Sequence, residues 1–89
     1  MDVVINLLTS ILASNRNTTL LDLEFSQLSS LTPLLQYLMQ FKCLKQLSLH
    51  GNRLMELPED LSMLSTLEEL DITNNLIQKV VSKIIISKA

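Results

Sequence analysis

Residues 47–54, LSLHGNRL, set two leucines at alternate positions, pass through His-Gly-Asn, and return to a leucine. In an extended chain Leu47 and Leu49 share one face while Gln46, Ser48 and His50 share the other, and Gly-Asn suits a turn. The stretch recurs. Residues 44–66, beginning at Leu44, align without a gap on residues 67–89, which begin at Leu67, 23 residues later. Leu44, Leu47, Leu49, Asn52, Leu54, Leu57 and Leu61 fall on Leu67, Leu70, Ile72, Asn75, Ile77, Val80 and Ile84. A fixed period of this length is the signature of stacked structural units rather than of a single hairpin.

A third unit lies upstream. Leu20, Leu23 and Phe25 are expected at its strand positions, and Leu31, Leu34, Leu38 and Phe41 at its later ones, with one residue inserted near Leu28 to Ser30. Its back half, LTPLLQYLMQF, reads as a short helix, with Thr32 as N-cap, Pro33 at the first helical position, and Leu34, Leu35, Leu38 and Phe41 on one face. Residues 2–14 also read as a helix, in which Val3, Val4, Leu7, Leu8, Ile11 and Leu12 form an apolar stripe. Asn52 and Asn75 follow their strands where the backbone must turn away. Their amides are expected to satisfy backbone groups there.

The spacing LxxLxLxxNxL resembles that of leucine-rich repeat proteins, and residues 44–66 are similar to the 23-residue intracellular subtype of that family. The upstream ILASNRNTTLLDLEFSQL is more similar to ribonuclease-inhibitor-like repeats. Val81 stands where the intracellular pattern has Pro, and Ser87 where it has Leu. The resemblance implies an α/β solenoid: a short curved stack with a parallel sheet on the concave side and helices or irregular turns on the convex side. It divides the chain into an N-terminal capping helix (1–19) and repeats at 20–43, 44–66 and 67–89, the last expected to be uncapped. It also implies a protein that binds other proteins, usually on the concave sheet.

Composition narrows the function classes. A chain of 89 residues forms one small domain of marginal stability. It is 47% hydrophobic but only 3% aromatic, so its core is aliphatic. A net charge of −2 offers no basic footprint for nucleic acid or an anionic membrane. The lone Cys43 cannot close an internal disulfide, and no Cys/His cluster has metal-ligand spacing, so no cofactor or metal is implied. The expected setting is reducing and cytoplasmic, including a cytoskeletal or other large assembly. The N-terminus carries Asp2 where a signal peptide has Lys or Arg, and its apolar stretch is too short to span a bilayer. It is read as a helix.

The strand periodicity also defines a candidate binding face. Asp22, Glu24 and Ser26, then Gln46, Ser48 and His50, then Glu69, Asp71 and Thr73 should point outward. Four are carboxylates and none is Lys or Arg. Such a face would steer and register a partner segment carrying Lys or Arg; the same polarity would also serve an exposed sheet that binds nothing. Ser48, His50 and Asp71 share the face, but two strand rises separate Ser48 from His50 by about 7 Å. Acyl-transfer chemistry needs the imidazole within hydrogen-bond reach of both partners and an oxyanion hole. The chain is therefore read as non-enzymatic. An alternative function follows from VVSKIIISKA: Val80, Ile84, Ile85 and Ile86 would leave an apolar end and an open strand edge. The protein would then be a structural subunit held in a larger assembly, or self-associated, through that end and its convex side.

Overall fold

A computed structural model describes residues 2–77 and the backbone of residues 83–85. Its elements run α1 (Asp2–Ser14), β1 (Leu20–Asp22), a 3-10 turn (Thr32–Leu34) continuing into α2 (Leu35–Leu38), β2 (Gln46–Ser48), a second 3-10 turn (Glu59–Met63), β3 (Glu69–Asp71) and β4 (Lys83–Ile85). The strands form one sheet in the order β1-β2-β3-β4. β1, β2 and β3 are parallel, with Leu21, Leu47 and Leu70 in register, and all three are buried. The result is a small three-stranded parallel sheet with helices, to which β4 adds an antiparallel strand.

The repeat is visible in the hydrogen bonds themselves. Leu23 N–H donates to Ser48 O (2.9 Å), and one unit later Leu49 N–H donates to Asp71 O (2.8 Å). Phe25 N–H to His50 O (3.0 Å) is repeated as Gly51 N–H to Thr73 O (3.0 Å), and Arg53 N–H to Leu28 O as Leu76 N–H to Leu54 O. In these bonds each unit satisfies its neighbour's backbone, which is why the ladder continues past strands only three residues long.

Asn52 carries the turn after β2. It is 5% exposed, and all four of its amide sites are used. Its Oδ1 accepts from Ser26 N–H and Leu28 N–H (both 3.0 Å), while its Nδ2 donates to Leu23 O (3.0 Å) and Leu49 O (2.8 Å). Asn75 does the same one unit on, accepting from Leu54 N–H and donating to Leu49 O and Ile72 O. Both asparagines have the structural role their spacing suggested.

The first unit sits two residues away from its expected register. Leu21 and Leu23, not Leu23 and Phe25, occupy the slots of Leu47 and Leu49. Leu20 faces out and is 55% exposed, and Phe25 lies beyond the strand, 68% exposed. The physical reason is the turn: in the observed register Ser26 takes the place of Asn52, and buried Leu28 takes that of Leu54. A shift by two would put the apolar side chain of Leu28 at the polar turn position. The alternation of faces is unchanged, so Asp22 and Glu24 still point outward, level with Ser48 and His50.

Val4, Leu8 and Leu12 of α1 are buried against the core, with Ile5 and Ile11 packed beside it. Val3 and Leu7 are exposed, so the buried stripe is narrower than the apolar one. Leu34, Leu35, Leu38 and Phe41 are buried as their spacing requires. The cap differs: Leu31 is the residue preceding the 3-10 turn and makes no side-chain cap bond, while Thr32 is its first residue. The 23-residue unit has room on its return path only for a 3-10 turn after Pro58, whereas the longer first unit adds the single α-helical turn of α2.

The expected apolar end is only partly described. Val80 and Ile86 lie outside the described residues, and only the backbone of Ile84 and Ile85 is described. That backbone pairs with β3 in the register Glu69↔Ile85, Leu70↔Ile84 and Asp71↔Lys83, so the edge of β3 expected to stand open is occupied by β4.

Candidate interaction face

The outer side of the parallel strands brings eight of the nine candidate residues into ordered rows. Gln46 lies beside Glu69, and Ser48 between Asp22 and Asp71. One step further, Glu24, His50 and Thr73 follow their strands at equivalent positions. Ser26, the ninth, stands in the turn at the position of Asn52. None of the nine is buried. Leu20 completes the row of Gln46 and Glu69. It was missed because it had been placed in the core, although its alternation with Leu21 and Leu23 marks it as outward.

Two of the four carboxylates also hold backbone. Asp22 Oδ1 accepts from Glu24 N–H (3.0 Å), and Asp71 Oδ1 accepts from Thr73 N–H (2.9 Å). These turns fall at equivalent positions of the first and third units and aim Glu24 and Thr73. Glu24 and Glu69 supply the other two carboxylates of the face, and both side chains reach solvent.

His50 is held from the side of the third unit. Its Nδ1 meets Thr73 Oγ1, and Thr73 Oγ1 donates to Asp71 Oδ1 (2.6 Å). Asp71 is thus level with Ser48, and the imidazole reaches Thr73 rather than a carboxylate. The arrangement ties His50 through the Thr73 hydroxyl to Asp71 and so orders the surface. Among the described residues, no group of three or more His, Cys, Asp or Glu is placed to hold a metal ion, and no helix is long and apolar enough to cross a membrane.

Across β2 from Thr73, the ring of Phe25 meets His50 edge to face, with centroids 5.3 Å apart and planes at 90°. Phe25, Gly51 and Asn74 occupy the same place in successive units, and all have positive φ, at 52°, 73° and 59°. Gly and Asn adopt that conformation readily; a bulky Phe does so at a cost. Gly51 is required twice over, since a Cβ there would also sit 2.3 Å from the Phe25 ring.

Residues 43–64 match the family model described as Leucine Rich Repeat. The matched segment contains β2, the Asn52 turn and the second 3-10 turn, and the hydrogen bonds of its strand end and of its asparagine turn recur in a neighbouring unit. Residues 43–64 are therefore a leucine-rich repeat. Motifs of this kind generally mediate protein–protein interaction and are generally non-enzymatic. No curated protein and no solved structure matches the chain.

Proposed function

We propose that this protein is a non-enzymatic interaction module: a short, curved solenoid that docks a partner protein on the concave outer face of its parallel strands. The observation that carries this reading is the row structure of that face. Asp22, Glu24, Glu69 and Asp71 are displayed at strand or strand-end positions, none of the nine face residues is Lys or Arg, and none is buried. A face built this way favours an extended partner segment carrying Lys or Arg, with attraction that weakens as salt is added. A scaffold role in the cytoplasm, where Cys43 remains a thiol, belongs to the same proposal.

The second reading, a structural subunit of a larger assembly, is favoured by one different observation. Val3 and Leu7 of α1 are left exposed by the core, Val3 to 81%. A single comparison separates the two. Tagged chain and its Glu24→Lys/Glu69→Lys variant are used for affinity capture from cytosolic extract, with bound proteins identified by mass spectrometry. Partners lost only from the variant support the acidic face, whereas partners retained by it but lost on Val3→Glu/Leu7→Glu support the assembly reading.

A further inference from the structure

We infer, resting on the interaction reading above, that the acidic face selects arginine over lysine through a seat formed by Phe25, His50 and Glu24. Three observations converge on it. The first is the ring of Phe25. It is 68% exposed despite being held in a positive-φ conformation that Phe disfavours, and it is fixed between the edge contact with His50 and the Cβ-free space above Gly51. An open, immobilised aromatic ring is a surface on which a flat guanidinium stacks.

The second is the tautomer of His50. Thr73 Oγ1 gives its single proton to Asp71 Oδ1, so toward the imidazole it can only accept. The bond to His50 therefore runs from Nδ1–H to Thr73, and in the neutral ring the lone pair lies on Nε2. Asp71 and Thr73 are positioning residues here: they present an acceptor, and not a donor, to whatever approaches from solvent. The third is Glu24, level with His50 in the adjacent unit and one residue before Phe25, with a carboxylate that adds the opposite charge. A guanidinium has five donors in a plane and can stack on Phe25 while donating to Nε2 and to Glu24. A lysine ammonium satisfies the charge but has no plane to stack.

The test uses the whole chain, labelled with 15N, and two synthetic probes: an alternating Ser-Arg peptide and its Ser-Lys counterpart. The expected result is tighter binding of the Arg peptide by about two- to five-fold, the size of an exposed cation–π contact, with NMR shifts centred on Glu24, Phe25 and His50. Phe25→Leu should equalise the two peptides while both still bind. Thr73→Val should move the imidazole 15N resonances away from the Nδ1–H tautomer and weaken the Arg peptide selectively. Equal affinities in the wild type, or an Arg preference that survives Phe25→Leu, overturn the arginine seat and leave the acidic face standing. If neither peptide perturbs the face, both readings fall together.

Discussion

Asn52→Ala should be among the most damaging single substitutions in this protein, and its size can be worked from the hydrogen bonds. Removing the amide strips Ser26 N–H, Leu28 N–H and Leu23 O of the partner seen for each, while Leu49 O keeps the donor Asn75 Nδ2 at 2.9 Å. A buried backbone group left unpaired costs about 1–3 kcal/mol, the lower figure applying where water can enter. Three such groups at the rim of the core give a loss of about 3–5 kcal/mol. A chain of 89 residues has total stability of about 4–13 kcal/mol, so the loss is a large fraction of the whole and unfolds the chain if its stability lies near the low end. Asn75→Ala is the internal comparison. Asn75 is half-buried, and Thr73 O retains Gly51 N–H, so only Leu54 N–H and Ile72 O are stripped, near solvent. Its cost should be about 1–2 kcal/mol. Urea unfolding followed by circular dichroism measures both, provided the slope m is unchanged. A loss below about 1 kcal/mol for Asn52→Ala, or a larger loss at Asn75, would refute the view that the asparagine ladder holds the turns.

Three further outcomes follow from the same geometry. Gly51→Ala should destabilise by more than the roughly 1 kcal/mol of a positive-φ residue because its Cβ strikes Phe25; Phe25→Ala should recover the steric part, which a double-mutant cycle in thermal melts would detect as strong coupling. Leu8→Ala, at a fully buried position of α1, should cost about 2–5 kcal/mol, and Val3→Ala on the exposed flank of the same helix well under 1 kcal/mol; equal losses by chemical denaturation would mean that α1 does not pack as described. Glu24→Lys/Glu69→Lys should leave the unfolding midpoint nearly unchanged while abolishing salt-sensitive binding of a basic peptide in calorimetry, and retained binding would move the site off this face.

The acidic face was legible in the sequence because alternation is local. Whatever the register, Asp22 and Glu24 have the same parity as Ser48 and His50, so period-2 reasoning sends all four outward. What alternation does not carry is the pairing between distant strands. The expected placement of Phe25 in the core came from matching apolar letters, and Leu20-Leu23-Phe25 fits LxxLxL as well as Thr18-Leu21-Leu23 fits it less one leucine. The choice between them is made by the turn, where Ser26 N–H and Leu28 N–H must meet an amide 24–26 residues away. The Thr32 cap was misplaced for a related reason: Leu31 is drawn into the core, and the turn begins at Thr32, one residue earlier than side-chain capping would place it.

By itself, the sequence determined the repeat, the aliphatic core, α1, the turn asparagines and the polarity of the outer face, because each depends on side-chain periodicity within one unit or on the comparison of one unit with the next. Only the tertiary structure decided the register of the first unit, the exposure of Phe25 and Leu20, the chain of bonds from Asp71 through Thr73 to His50, and the antiparallel β4 against β3. These depend on which backbone groups of separate units come within hydrogen-bond reach. Parallel strands three residues long have too few ladder bonds to specify that alone, so the turns beyond them set it.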